Sequence, residues 1–166
     1  MADLTMEEKA TNFETMLHIQ QVQALLLGVC AELHGRCLSH DQSKLGPPEV
    51  NTFVEFTPKL RGSTYGSDEY NGFLAAMKPA LDNHYANNRH HPEHFKNGIR
   101  GMTLIDLLEM MCDWLAATKR HADGDLYRSI ELNAERFGYS DELRQIFINT
   151  ADFLTGKQGA EDAAAD

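Results

Sequence analysis

Cysteine is scarce in this sequence, long apolar runs are missing, positive charge is in deficit and tryptophan occurs once. Each shortage removes a class of protein. Three cysteines, Cys30, Cys37 and Cys112, are too few and odd in number for a disulfide framework. Their seven-residue spacing places Cys30 and Cys37 on one face of a predicted helix. There they read as small buried apolar residues, for which a reducing cytoplasm is the natural setting. The longest apolar run, from Ala24 to Val29, falls far short of the roughly eighteen residues that a membrane span requires, so no membrane segment is expected. The opening MADLTMEEKATNFE is acidic and polar, and no secretory signal is expected. A formal charge of -10 argues against an extended nucleic-acid surface. A small anionic substrate remains open, because a bound metal and local arginines can reverse the field inside a pocket.

With 166 residues, 42% of them apolar, the chain fits one globular domain with its own core. Helical spacing dominates and no strand pattern stands out. A long helix is expected over residues 5 to 37, where Phe13, Leu17, Val22, Leu25, Val29 and Leu33 recur at three to five residues. Thr5 and Glu8 form a capping box at its start, and Gly28 or Gly35 is expected to break it. Pro47 and Pro48 end the next turn region. Further helices are expected over 49 to 60, from Ser67 to about 88, and over 103 to 121 with Thr103 and Asp106 at the cap. A last pair, over 126 to 137 and 140 to 154, is divided at Gly138. The expectation is a helical metal-binding domain over residues 1 to 154 and an acidic flexible tail over 155 to 166. A homodimer is the expected assembly of so small a helical domain.

Eight histidines stand out, several beside carboxylates or at helical spacing. In HDQSKLGPP, His40 and Asp41 offer nitrogen and oxygen ligands from adjacent positions, and Lys44 follows one helical turn on, where its ammonium can meet a substrate phosphate. In LDNHYANNRHHPEHF, His84, Asn88 and His91 are spaced four and three apart. His90 and His91 cannot face the same way on a helix, so one is expected as a ligand and the other as a substrate or supporting contact. Pro92 biases His91 away from helical geometry. In MTLIDLLEMMCDWLAATKRH, Asp106, Glu109 and Asp113 share a stripe on a strongly apolar helix. Carboxylates there need a cation or an inward histidine to remain ionised. The first helix is expected to add His18, with His34 as its rival. Trp114 and the methionines Met102, Met110 and Met111 read as core.

These motifs resemble those of the HD-domain superfamily of metal-dependent phosphohydrolases. Its members are all-helical, with an early histidine, a His-Asp pair and a later aspartate. The stretch from His40 to Lys44 is similar to the His-Asp-x-x-Lys form of cyclic-dinucleotide hydrolases, and His90, His91 and Glu93 to their His-His-Glu segment. More closely, HDQSK, YGSDEY, HYANNRHHPEHF and DLLEMMCDWLAA resemble an uncharacterised family of small phage and bacterial proteins. The resemblance implies an all-α, single-domain helical bundle like the HD-domain fold. It implies a metal-dependent phosphohydrolase acting on a nucleotide or related small phosphate ester. Its ligands would be His18, His40, Asp41, His84, His91 and Asp113, holding one or two ions of Mn, Fe, Co, Ni or Zn. Lys44, Arg89, His90 and Arg120 would meet the substrate. Asp41 would steer the attacking water, and Glu93 or Glu109 would carry protons or anchor a ligand. The cytoplasm, that of a host if the chain is phage-encoded, is the expected setting. A non-catalytic metal-containing binding protein and a di-iron oxygenase are the alternatives.

Overall fold

The computed structural model describes residues 4–64, 66–120 and 124–157. Among these every regular element is helical. Residues 158–166 of the tail expected from 155, together with His121 and Tyr65, lie outside the described residues, while Thr155 still belongs to the last helix. The chain divides into two units, Met1–Ser39 and His40–Asp166.

The first unit is a single helix, α1 (Met6–Ser39). The expected capping box starts it: Thr5 N–H donates to Glu8 Oε2 at 2.7 Å, and Glu8 N–H to Thr5 Oγ1 at 3.2 Å. The break expected at a glycine does not occur, and α1 runs through both Gly28 and Gly35. A lone glycine costs a helix only about 1 kcal/mol, which the flanking leucines and alanines of good propensity outweigh. No residue of α1 is buried, and Leu25, Leu26 and Leu27 are 73%, 59% and 68% exposed. Cys30 and Cys37, expected to be buried, are exposed on it, as is Cys112 on α5. The stretch Met6–Leu45 is also long and apolar enough to cross a membrane, by length and composition only, with an 18-residue window of mean hydropathy 1.2. Counting uninterrupted apolar runs misses this, because Gln20, Gln21 and Gln23 break the runs while the average absorbs them. Core helices of soluble proteins and leader sequences meet the same measure.

The second unit begins with a turn at His40 and Asp41, and a 3-10 turn, Gln42–Leu45, follows. Then come α2 (Val50–Gly62), α3 (Asp68–Ala76) and α4 (Lys78–Asn87). Two more 3-10 turns, Pro92–His94 and Gly98–Gly101, lead to α5 (Leu104–Thr118), α6 (Leu126–Phe137) and α7 (Asp141–Thr155). The one helix expected from Ser67 to 88 is two, divided at Met77, which ends α3 and precedes α4. Pro79 explains the division: it has no N–H for the carbonyl four residues back, but it suits a first helical turn.

Local signals set the remaining ends. Ser67 Oγ accepts from Tyr70 N–H at 3.1 Å, and Thr103 with Asp106 closes a reciprocal capping box. Gly138 and Gly156 end α6 and α7 in the left-handed region, at φ 61° and 75°. Leu126 and Ile130 of α6, and Phe147 and Ala151 of α7, recur every fourth residue and meet Met110 and Met111 of α5. Phe147 has Trp114 edge-on at 5.9 Å and Tyr139 edge-on at 5.1 Å, so tryptophan and methionines are core as expected.

Candidate metal centre

Asp41 occupies the middle of the site. Its backbone is left-handed, at φ 58° and ψ 10°, a region that aspartate tolerates better than most residues but still at a cost. The bend lets His40 and Asp41, adjacent in sequence, aim at the same point. Lys44 N–H donates to Asp41 O at 3.0 Å, and Lys44 Nζ donates to Asp41 Oδ2 at 2.5 Å. The sequence-expected lysine thus reaches the cluster, with Phe53 5.2 Å from its ammonium.

The histidines arrive from α4 and the segment after it. His84, in the last turn of α4, is 1% exposed, and its Nε2 lies 3.2 Å from Asp41 Oδ1. His90, also 1% exposed, brings its Nε2 to 3.4 Å from the same oxygen. His91 Nε2 is 3.0 Å from His84 Nε2. His90 and His91 therefore both join the cluster, with ring centroids 4.1 Å apart. The expectation that only one could do so assumed a helix. Helix α4 ends at Asn87, and Asn88 and His91 are extended, His91 at φ -104° and ψ 128° before Pro92.

Helix α5 supplies the facing acids. Glu109 Oε1 is 2.9 Å from His40 Nδ1 and 3.2 Å from His90 Nδ1. Asp113 Oδ1 is 3.7 Å from His40 Nε2. Three sets of donors come within 4.8 Å of one another: Asp41, His84, His90 and His91; His40, His90 and Glu109; His40, Asp41 and Asp113. A cluster positioned to chelate a divalent ion is therefore present.

The electrostatics agree with that reading. Asp113 and Glu109 raise the His40 imidazole to about 10 against the opposing effect of burial. Burial works against a charged His90, but Asp41 and Glu109 still push it up. Burial likewise opposes ionisation of Asp41, and His84, His90 and Lys44 overcome it, holding the carboxyl well below its usual range. His91 goes the other way, to about 3, chiefly because it is buried and also because the positive charge of His90 lies beside it. Asp41 Oδ1 and His90 Nε2 are buried and find no hydrogen-bond partner. Two buried, unsatisfied donor atoms facing one point are what a cation would satisfy.

Other expected site residues are not among these donors. His18 is exposed within α1 and belongs to none of the three donor sets. Because α1 is unbroken, twenty-one residues separate it from Ser39, about 32 Å along the axis. His34 is exposed as well. Arg89 is committed to Asp106, with Nε and Nη2 donating to its two oxygens at 3.1 Å each, and its guanidinium stacks 4.9 Å from Phe95. Asp106 thus leaves the acidic stripe for the α5 cap, and Arg89 is what makes its burial tolerable. Glu93 pairs with Arg136 at 2.5 Å. Arg120 is exposed in the turn after α5, about 10 Å along the helix from Asp113.

Sequence reasoning missed Glu49. It is wholly buried, with Oε2 3.0 Å from His84 Nδ1. The only sequence signal was a glutamate after two prolines, which read as a helix-start residue.

Fold and site together define an all-helical protein with a buried histidine and carboxylate cluster able to hold a metal ion. The chain belongs to a family of unknown function, DUF5662, whose model matches residues 7–153. No curated protein and no solved structure matches it.

Proposed function

We propose that this protein is a metal-dependent phosphohydrolase acting on a nucleotide or a related small phosphate ester. One observation carries the proposal: Asp41 Oδ1 and His90 Nε2 are buried 3.4 Å apart without a hydrogen bond, at a point that His84 and His91 also face. Asp41, His84, His90 and His91 would hold the ion, with His40 and Asp113 completing a neighbouring position. Nitrogen and carboxylate donors together favour a transition metal over a calcium cage. When bound, such an ion supplies a water ionised near neutral pH. Lys44, at the edge of the cluster, offers the substrate phosphate a cation once the metal has taken over Asp41. Glu109 and Asp113 hold His40 and can accept a proton from its ring. The reaction class is supported by the resemblance to HD-domain hydrolases, and a phage or bacterial origin belongs to the same reading.

The test is elemental analysis of protein purified without a metal-binding tag, followed by assays with nucleotides and phosphate monoesters. Asp41→Ala and Asp113→Ala should each lower bound metal and abolish hydrolysis. Lys44→Ala should keep the metal and raise KM. Full metal content and activity in both aspartate variants would place the centre elsewhere.

A second reading is favoured by a specific feature. Asp41, His84, His90 and His91 are four donors from the protein itself, enough to close a tetrahedral shell. A closed shell fits a metal-containing binding protein, and tight nucleotide binding without turnover would select it.

A further inference from the structure

Glu49 is 0% exposed, and among the described residues no lysine or arginine pairs with it. A carboxylate in such a place is costly unless its oxygens are fully engaged. It stands immediately before α2, yet its side chain caps nothing there. Its partners are instead the groups around His84. Asn83 Nδ2 donates to Oε1 at 2.7 Å, Ser43 Oγ donates to Oε2 at 3.3 Å, and His84 Nδ1 lies 3.0 Å from Oε2.

Counting hydrogens decides how His84 is protonated. Asn88 Nδ2 also lies 3.0 Å from His84 Nδ1, which would make that nitrogen an acceptor. However, the two amide hydrogens of Asn88 already have acceptors, Ser43 Oγ at 2.9 Å and the His84 carbonyl at 2.8 Å. The Ser43 hydroxyl accepts from Asn88 and lies 3.2 Å from His84 Nδ1 as well as 3.3 Å from Glu49 Oε2. Giving its hydrogen to Nδ1 would leave Glu49 Oε2 against a bare nitrogen lone pair at 3.0 Å, so the hydrogen goes to Glu49. The whole network is satisfied when His84 Nδ1 carries a hydrogen and gives it to Glu49. Nε2 then presents a lone pair, 3.2 Å from Asp41 Oδ1 and 3.0 Å from His91 Nε2. A hydrogen on His91 Nε2 can meet that lone pair, but Asp41 Oδ1 beside it gains nothing from it, whereas a cation would engage all three atoms at once.

We infer that Glu49 is a positioning residue of the metal centre: it holds His84 with Nδ1 protonated and aims Nε2 at the ion. The inference rests on the reading of the cluster as a cation site. A carboxylate behind a ligating imidazole fixes its orientation and makes it more basic, and removing such a partner typically weakens metal affinity about 10–100-fold. Glu49 does for His84 what Glu109 does for His40 and His90.

The experiment uses the full chain and Zn(II). Affinity is measured by competition with a chromophoric chelator for the wild type and Glu49→Gln, alongside thermal melts of both proteins without metal. The expected result is a loss of about 10-fold or more in affinity, with the metal-free melting temperature little changed. Wild-type affinity in Glu49→Gln overturns the inference, as does a loss matched by collapse of the metal-free fold. A second measurement needs no variant: nitrogen NMR of the histidine rings in the Zn(II)-loaded wild type. It should show His84 bound through Nε2 with hydrogen on Nδ1, and coordination through Nδ1 overturns the assignment. A wild type that takes up no Zn(II) ends both readings, whereas uptake that ignores Glu49 ends only this one.

Discussion

Helix α5 borders two interiors of opposite character. Met110 and Met111 enter an apolar one, built with Leu126, Ile130, Phe147 and Ala151. Glu109 and Asp113, on the same helix, enter a polar one with His40, Asp41, His84, His90 and His91. Both hold residues that are almost fully buried. The apolar interior is held by the removal of hydrocarbon from water, which asks nothing of pH or ions. The polar interior gathers acids and imidazoles whose burial is unfavourable unless positive charge balances it. The contrast teaches that depth of burial alone does not say what stabilises a region. Disturbing one interior should leave the other's characteristic response intact.

The largest effect is expected in the apolar interior. Phe147→Ala should cost about 3–5 kcal/mol in denaturant unfolding, by lost transfer energy and a cavity. Zinc affinity measured under native conditions should hardly move. A parallel loss of affinity would show that the two interiors are one cooperative structure.

Metal should act in the opposite sense and only through the polar interior. Free ion at about 100 times Kd should add about 2.7 kcal/mol of stability. Asp41→Asn should remove that increment, so that its melts with and without zinc coincide. A retained zinc response in Asp41→Asn would move the ion away from Asp41.

pH comes next. His40 is raised from 6.5 to about 10, chiefly by Asp113 and then Glu109. In chelator-treated protein its stabilising contribution is therefore complete below pH 6.5 and is lost as pH climbs toward 10. His91, lowered by burial to about 3, contributes stability that is present above pH 6.5 and is lost as pH falls toward 3. The metal-free protein should thus weaken in both directions from near neutrality. Saturating zinc should reverse the alkaline arm, because the ion binds only deprotonated imidazoles. Melts across this range, with and without zinc, read the effect, and a metal-free profile flat on the alkaline side would refute the assignment to His40.

The smallest effect is assigned to Lys44. Its ammonium serves Asp41 at 2.5 Å, the place a metal would serve better. Lys44→Ala should cost about 1 kcal/mol in the metal-free protein and much less once zinc is bound. Equal costs in the two states would mean that lysine and metal do not share Asp41.

Much of the site was legible as residue types. His40, Asp41, Lys44, His84, His91, Glu109 and Asp113 stand out because imidazoles and acids at turn or helical spacing are hard to explain as surface decoration, and the structure brings them together. Legibility failed where the backbone leaves a helix or where a side chain is claimed by a neighbour distant in sequence. His90 and His91 converge because residues 88–91 are not helical. Arg89 and Glu93 are taken by Asp106 and by Arg136, seventeen and forty-three positions away. Glu49 meets His84 across thirty-five positions, a separation that no local spacing rule spans.

The sequence by itself determined the helical elements and most of their ends, because periodicity, caps, prolines and glycines act within a few residues of themselves. It also determined that an unusual store of metal-binding side chains was available. Only the tertiary structure decided which of them meet. That choice depends on the left-handed turn at Asp41, the extended segment before Pro92 and the face that α5 turns toward His40. Those are consequences of packing between distant segments, and packing is set by the whole chain at once.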